Sequence, residues 1–361
     1  MQRNFTLSDS LPFAIGCGIL GTGGGGNTYI GRTWLESELR KRGGSVRIID
    51  ADQVPDDGYV CCIGTMGAPT VSNEKLQQGD EFVIAMRALE EHIGQPLSAV
   101  LCGEIGGANG IKPLICGLQM GLPVVDGDPM GRAFPELQMD TYAINGLSLC
   151  PMALSDAHGN VMIFDKMDSP YRVEAYARAL TIEMGGSAAL AMPLLRGRDM
   201  KANIIRDTMT LAQRIGDVVL AERKRGEEPA EAVAAVGNGH VLFRGKIVDV
   251  ERRTVKGFAR GKLKLVGFGD PNDTLEIAFQ NENLIAWRNG EIVATVPDLI
   301  CIIGLEDGEP IGTELLRYGL RVAVLGMPAP KELKTARALN VVGPKAFGYD
   351  VPFLPMAGDL L

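Results

Sequence analysis

Residues 124–138 read Val124-Val125-Asp126-Gly127-Asp128-Pro129-Met130-Gly131-Arg132-Ala133-Phe134-Pro135-Glu136-Leu137-Gln138, a run that passes from an apolar strand into a loop rich in glycine and proline. Such a loop cannot continue as regular helix or sheet, because glycine and proline interrupt both. It carries three carboxylates, Asp126, Asp128 and Glu136, together with Arg132. Charged side chains on a loop that a strand positions are typical of a ligand-binding site.

Loops of similar composition follow two other predicted strands. Tyr59 to Ile63 and Ala99 to Cys102 are short apolar runs, and small residues follow each of them. Helical patterns separate the strands, and this alternation predicts an α/β domain whose mostly parallel sheet has helices on both faces. Ligands gather at the carboxyl ends of such strands. We therefore expect the loops at residues 64–69, 104–110 and 126–136 to share one edge of the sheet.

The second half of the chain has a different pattern. Helical stretches follow residue 169, and beyond Gly237 short extended runs alternate with turns such as Asn289-Gly290. This predicts a second, mainly antiparallel β domain. We place the domains at residues 1–168 and 169–361, and we expect the C-terminal tail to return to the first domain. The run from Thr141 to Pro151 resembles a further strand.

Composition limits the class of function. The chain has 361 residues and 46% hydrophobic residues, enough for two packed domains. Its net charge of -8 argues against binding to nucleic acid or to anionic membranes, since both recruit basic surfaces. A small-molecule substrate is therefore the expected partner, and self-association into a homo-oligomer is left open.

The cysteines and the N-terminus indicate a cytoplasmic location. The seven cysteines lie mostly in apolar runs and form no CxxC pair, as expected for reduced, buried thiols. The first residues show no secretory signal pattern, and no segment reaches the roughly 18 apolar residues of a membrane span.

A second glycine cluster permits a different interpretation. Gly21, Gly23 and Gly26 have the spacing of a dinucleotide-binding loop, and Asp50 follows at the end of a later predicted strand. That motif needs a strand before the glycines, whereas residues 11–20 are as helical as extended in pattern. A nicotinamide-dependent enzyme is one alternative. The backbone amides of Gly24 and Gly25 would otherwise either bind an anionic group of a substrate or form only a tight turn.

Four motifs in order resemble the S-methyl-thiohydantoin desulfurase family. Besides residues 124–138, they are Ile19-Leu20-Gly21-Thr22-Gly23-Gly24-Gly25-Gly26, Met66-Gly67-Ala68-Pro69-Thr70 and Glu104-Ile105-Gly106-Gly107-Ala108-Asn109. The C-terminal half is similar to the second domain of that family, most clearly at residues 318–322. The resemblance implies a cytosolic enzyme of ergothioneine or hydantoin breakdown. Such an enzyme replaces the methylthio group of an S-methyl-thiohydantoin ring by oxygen and releases methanethiol.

Water attack on that ring needs a base, a proton donor and an anchor for any carboxylate of the substrate. Asp126 and Asp128 are the predicted catalytic pair, because neighbouring carboxylates can divide the acid and base roles. Glu104 and Glu136 are the reserve candidates. Arg132 is the predicted anchor, since a guanidinium binds a carboxylate with two parallel hydrogen bonds. Its alternative role is a structural ion pair with Glu136.

Three further residues complete the predicted site. Thr65, Asn109 and His158 are assigned to substrate binding, and a hairpin-turn residue is the alternative role of His158. No cofactor is predicted. The alternatives are a divalent metal held by Asp126, Asp128 and His158, which would activate the water, and a non-catalytic subunit that binds a metabolite without converting it.

Overall fold

The structure is a computed structural model that describes residues 3–67, 71, 74, 77–255 and 258–356. The predicted motif at residues 66–70 is therefore described only as far as Gly67, and residues 68–70 lie outside the described part. Within that part, no helix is long and apolar enough to cross a membrane.

The helices alternate with strands through the first half of the chain. Those whose full extent is described are, in chain order, α1 (Ser10–Leu20), α2 (Thr28–Lys41), α3 (Glu81–Ile93), α4 (Lys112–Met120), α5 (Thr141–Ile144), α6 (Pro170–Glu183), α7 (Gly197–Asn203), α8 (Thr208–Arg225), α9 (Ala230–Val236) and α10 (Ala336–Val342). Local sequence explains the start of α2, where the Asn27 side chain accepts a hydrogen bond from the Tyr29 amide at 2.9 Å.

The strands before residue 210 are β1 (Arg3–Thr6), β2 (Ser45–Ile49), β3 (Tyr59–Gly67), β4 (Leu97–Cys102), β5 (Val124–Val125), β6 (Gly127–Asp128), β7 (Met152–Ser155), β8 (Val161–Phe164), β9 (Ser187–Arg196) and β10 (Ile205–Arg206). Eight of these described strands form one sheet in the order β1-β2-β5-β4-β3-β9-β7-β8. Its centre, β2-β5-β4-β3, is parallel, and antiparallel strands flank it on both sides.

Helices cover both faces of this sheet, as predicted. Along β3, Cys61 and Ile63 pack on the side of α2, α3 and α4, whereas Val60 and Cys62 pack on the side of α7. Because both faces are covered, β3 and β4 are apolar at successive positions instead of alternating with polar residues. The α/β fold class is therefore confirmed.

The second sheet is antiparallel throughout its described strands. These are β11 (His240–Val255), β12 (Phe258–Gly267), β13 (Thr274–Gln280), β14 (Glu282–Arg288), β15 (Glu291–Thr295), β16 (Leu299–Gly304) and β17 (Arg321–Met327). They lie in the order β15-β14-β13-β12-β11-β17-β16, which confirms the predicted second β domain.

Two local features differ from the sequence-based expectation. The prediction of a strand at residues 141–151 is wrong. The Asp140 side chain accepts a hydrogen bond from the Ala143 amide at 2.6 Å, and the short helix α5 begins there instead. In addition, β9 follows the predicted boundary at residue 168 and yet pairs with β3 and β7 inside the first sheet. The tail helix α10 contacts α5, on the first domain.

Candidate functional site

A cavity lies at the carboxyl ends of the parallel strands, where the second domain meets the first. Residues from all three predicted loops line it, and so do Asn281 and Glu282 of the second domain. Its volume is about 120 Å³, which is below the roughly 300–1,000 Å³ of sites for drug-sized molecules and favours a small ligand. The three loops that were predicted to share one edge of the sheet therefore line a cavity between the two domains.

Glu104 is the central carboxylate of this cavity. It follows β4 and is held on both oxygens, because Asn109 Nδ2 donates to Oε1 and the Phe134 amide donates to Oε2 at 3.1 Å. Burial raises the pKa of Glu104 to about 7, although these two donors and the nearby Lys112 oppose the rise. A carboxyl group with that pKa is ionised in about half of the molecules at neutral pH, which suits a general base.

Lys112 extends the network from the first residue of α4. Its Nζ donates to Thr65 Oγ1 at 2.5 Å and to Asn109 Oδ1 at 2.7 Å. Burial lowers the pKa of Lys112 to about 8, and the nearby Glu104 opposes that change. Thr65 and Asn109, two of the predicted binding residues, therefore join Glu104 and Lys112 in one hydrogen-bonded group.

Glu282 reaches the same cavity from the start of β14 in the second domain. Its side chain is 3% exposed, and among the described residues its Oε2 atom has no hydrogen-bond partner. Burial and the nearby Glu104 raise the pKa of Glu282 well above its usual range, while Arg132 opposes the rise. The cavity wall thus includes carboxyl groups supplied by both domains.

Arg178 and Glu136 also line the cavity. Arg178, on α6, pairs with Glu174 and donates to the Pro135 carbonyl at 3.0 Å, and its guanidinium lies 4.4 Å from the centre of the Phe258 ring. Its side chain is 16% exposed. The partly exposed Glu136 accepts a hydrogen bond from Gln138. This part of the wall therefore offers a fixed cation to a ligand.

Asp126 lies elsewhere, at the start of α8. Its carboxylate accepts hydrogen bonds from the Met209 amide at 2.9 Å, from the Thr210 amide at 3.1 Å and from the Thr210 hydroxyl. It therefore caps a helix from a distant loop, and it does not line the cavity.

Asp128 is fully buried behind the cavity wall. It accepts hydrogen bonds from the amides of Ile105, Met130 and Gly131 at 2.9–3.2 Å, which joins the loop after β4 to the loop after β5. Burial raises its pKa to about 6, and the amide donors oppose the rise. The structure thus separates the predicted pair: Asp126 caps a helix, and Asp128 connects two loops.

Arg132 has no exposed surface, and all of its donor nitrogens are bonded. It donates to five acceptors at 2.8–3.3 Å: Thr22 Oγ1 and the carbonyls of Ala133, Asn283, Pro297 and Asp298. These acceptors come from both domains. Neither expected role, as a substrate anchor or as the ion-pair partner of Glu136, matches these contacts. The residue joins the domains instead.

The glycine run connects α1 to α2, so a helix precedes it and not the strand that a dinucleotide-binding loop requires. Asp50 caps a short turn and pairs with Arg206. The Gly24 amide donates within the turn to the Gly21 carbonyl at 2.8 Å. Gly25 lines the cavity, and its carbonyl accepts from the Asn109 amide at 3.2 Å. The run therefore supports the loop that carries Glu104.

His158 lies apart from these groups, in the exposed turn between β7 and β8. Its amide donates to Asp156 Oδ1 at 2.9 Å, as expected for a hairpin turn. The three proposed metal ligands, Asp126, Asp128 and His158, are thus not gathered in one place. Across the described ranges, no group of three or more His, Cys, Asp and Glu side chains is arranged to hold a metal ion.

Sequence reasoning missed Lys112, Arg178 and Glu282. A lysine at the first position of a helix opposes the helix dipole, and this unfavourable placement could have identified Lys112. Glu282 lies in the polar run at residues 280–283 between two apolar strands, a pattern that could have drawn attention to it. Arg178 has the spacing of an ordinary surface pair with Glu174, so the sequence offers no comparable indication.

Comparisons with known proteins agree with this architecture. A crystal structure of a protein from Chromobacterium violaceum, determined by a structural genomics consortium, is 25% identical in sequence and has a TM-score of 0.84, over 98% of this chain and 100% of that one. No curated protein matches the chain. The model of the S-Me-THD-like N-terminal domain matches residues 9–166, and that of the S-Me-THD-like C-terminal domain matches residues 168–356. The chain therefore belongs to the S-Me-THD-like family.

Proposed function

We propose that this protein hydrolyses an S-methyl-thiohydantoin, replacing the methylthio group of the ring by oxygen and releasing methanethiol. Membership of the family supports the class of substrate. The observation that carries the reaction type is Glu104, a carboxylate in an interdomain cavity whose pKa of about 7 suits proton transfer at neutral pH.

Glu104 is the proposed base. It takes a proton from a water molecule as the water oxygen attacks the ring carbon that bears sulfur. Asn109 and the Phe134 amide fix the direction of the carboxylate. Lys112 favours its ionised form and holds Asn109 in place. Asp126 and Asp128 keep the structural roles that their hydrogen bonds indicate, so the base is assigned to one of the reserve candidates.

Arg178 is the proposed anchor for a carboxylate on the substrate. Its Nε and Nη2 atoms are bonded, whereas no acceptor within the described ranges binds its Nη1 atom. Phe258 and Glu174 hold the plane of the guanidinium at the cavity wall. Binding of the substrate carboxylate, which was first expected of Arg132, is therefore proposed for Arg178, which a ligand can reach.

An assay of methanethiol release across S-methyl-thiohydantoins with different side chains tests the proposal. Glu104→Gln should lower kcat/KM by about 10²-fold or more, as expected for loss of a general base. The matched control is Glu136→Gln, which changes another carboxylate of the cavity wall and should stay within a few-fold of wild type. Wild-type kcat/KM should rise with pH through about 7, because only ionised Glu104 accepts a proton.

Two outcomes would contradict different parts of the proposal. If the wild-type protein binds the ring compounds but releases no methanethiol, it is a binding subunit and not a hydrolase. If wild type is active and Glu104→Gln retains more than about a tenth of its kcat/KM, another group is the base.

A further inference from the structure

Glu282 differs from Glu104 in having a buried carboxyl oxygen without a hydrogen-bond partner among the described residues. Asn109 and Phe134 bind both oxygens of Glu104, whereas no donor in the described part of the chain reaches Glu282 Oε2. A buried polar atom that lacks a hydrogen bond is costly, and native proteins rarely keep one without a role. Without a described donor on Oε2, the ionised form of Glu282 lacks a hydrogen bond that would stabilise it, which favours the neutral acid at the wall of the cavity that Glu282 lines.

The backbone of the first domain leaves room for this carboxyl group. A Cβ atom built on Gly24 would lie 1.9 Å from Glu282 Oε1, so any larger residue there would displace it. The Asn283 amide donates to the Thr22 carbonyl at 2.8 Å, and the Thr313 amide donates to the Gly23 carbonyl at 2.8 Å. The glycine run therefore positions the start of β14 directly against the cavity.

The charged groups that act on Glu282 come from both domains. Glu104 repels its ionised form, while Arg132 and Arg178 attract it. Neither arginine forms a described hydrogen bond or ion pair with it: Arg132 donates to Thr22 and to backbone carbonyls, and Arg178 is bonded to Glu174 and Pro135. Burial and the like charge of Glu104 outweigh these attractions and raise the pKa of Glu282, so its protonated form is favoured.

Building on the proposed hydrolysis, we infer that Glu282 is the general acid of the reaction and that its carboxyl group donates a proton to the ring nitrogen beside the carbon under attack. A neutral carboxylic acid can donate a hydrogen bond where a carboxylate cannot. The reaction then has a base from the first domain and an acid from the second. Enzymes commonly divide acid and base roles between two carboxyl groups whose environments give them different pKa values, so that one is protonated while the other is ionised.

The protons balance over one turnover. Glu104 takes one proton from water as the new carbon–oxygen bond forms, and Glu282 gives its proton to the ring nitrogen as the carbon–nitrogen double bond opens. When the carbon–sulfur bond breaks, the departing thiolate takes the proton held by Glu104. The remaining hydroxyl proton passes to Glu282 as the carbonyl forms. One water is consumed, one methanethiol is released, and both residues return to their starting states.

The test compares wild type with Glu282→Gln in the methanethiol assay over a range of pH. Glutamine has the shape of a neutral glutamic acid but cannot transfer a proton, so kcat should fall by about 10²-fold or more. Wild-type kcat/KM should also fall in alkaline buffer as Glu282 loses its proton, and this decrease should be absent from the variant. Glu276→Gln, an exposed change on the neighbouring strand β13, is the matched control and should behave as wild type.

Infrared spectroscopy of the wild-type protein provides a readout that needs no turnover. In mildly alkaline buffer, where Glu104 and Asp140 with pKa values of about 7 have ionised, a band of a protonated carboxylic acid should remain and should be weaker in Glu282→Gln. Its absence from wild type would overturn the inference. So would equal kcat values for wild type and variant. A wild-type protein that releases no methanethiol, yet shows the band, would instead contradict the proposed hydrolysis.

Discussion

Two arginines close to Glu282 show how hydrogen bonding decides the role of a residue. Arg132 has five bonded acceptors and no exposed surface, so it has no donor left for a ligand. Arg178 is fixed on one side by Glu174 and Phe258 but keeps 16% of its side chain exposed. The residue type alone does not separate these cases, because both sequences around them contain a glutamate four residues away.

Replacing Arg178 should affect substrates according to their charge. For Arg178→Ala we expect KM to rise by about 10- to 100-fold for a carboxylate-bearing substrate, since a hydrogen bond to a charged group contributes about 1.5–3 kcal/mol. A neutral analogue of the same ring is the control and should lose little. Equal losses on both compounds, measured by methanethiol release, would assign Arg178 a structural role.

Gly24 offers an independent way to disturb Glu282. Gly24→Ala would place a methyl group where the Glu282 carboxyl lies, while the backbone of this residue is not in the left-handed region. We expect kcat to fall at least about tenfold, with a smaller effect on KM, because the displaced acid no longer meets the ring. Gly269→Ala, where an added Cβ has no neighbour within 4 Å, is the control. Unchanged kcat in Gly24→Ala would argue against the position assigned to the acid.

The sequence predicted which loops form the site better than it predicted which residues of those loops face the cavity. Glu104, Thr65 and Asn109 follow predicted strands, and a strand end can be recognised from local pattern. Asp126 also follows a strand, but its partners Met209 and Thr210 lie far along the chain. No local pattern indicates that a distant helix will occupy a carboxylate. For the same reason, the polar run around Glu282 could not show that this residue reaches the cavity from another domain.

At the scale of elements, α8 depends on contacts from outside itself. Its first amides are capped by Asp126 and not by its own preceding residue, Asp207, whose side chain makes no capping hydrogen bond. Its middle packs closely on α1, where a Cβ atom at Gly16 would lie 1.8 Å from the Ala212 carbonyl oxygen. The helix is thus locked to the first domain at both places, and a larger residue at Gly16 would separate the two helices.

The capping role of Asp126 gives a stability prediction. Asp126→Ala should lower the free energy of unfolding by about 0.5–2 kcal/mol, the usual cost of losing a helix cap. Asp126→Asn should cost less, since asparagine caps helices about as well as aspartate. Urea denaturation of both variants provides the measurement. If Asp126→Asn remains folded but releases no methanethiol, Asp126 belongs to the chemistry after all.

The sequence predicted which residues form strands better than it predicted the order of the strands in the sheet. The parallel centre was predicted because burial on both faces leaves continuous apolar runs such as Tyr59 to Ile63. In contrast, β9 lies more than a hundred residues beyond β3 and still pairs with it. Pairing between distant strands depends on the whole packed fold, so residues near 187 carry no local mark of their partner.

At the scale of the whole molecule, Arg132 joins the two domains. Its acceptors include Thr22 in the first domain and Asn283, Pro297 and Asp298 in the second. An apolar cluster continues across the same boundary, with Ile19 of α1 and Leu325 of β17 among its members. The cavity lies at this junction, so the geometry of the site depends on how firmly the domains are joined.

Arg132→Ala should therefore destabilise the protein by more than about 3 kcal/mol, because each buried acceptor left without a donor costs about 1–3 kcal/mol. Arg132→Lys should also be destabilising. A lysine has three N–H donors, so it cannot bond all five acceptors that Arg132 binds. The control is Arg206→Ala, which removes an exposed ion-pair partner of Asp50 and should cost at most about 1 kcal/mol. Thermal unfolding measures all three. Equal losses for Arg132→Ala and Arg206→Ala would contradict the role of Arg132.

The placement of Glu104 and Glu282 on different halves of the chain has a consequence for how the protein can diversify. A hybrid gene that joins the N-terminal half of this chain to the C-terminal half of a relative would keep Glu104 and Lys112. It would exchange the walls that Arg178 and Glu282 supply. Recombination between relatives could thus alter substrate preference in one crossover while the base is inherited intact.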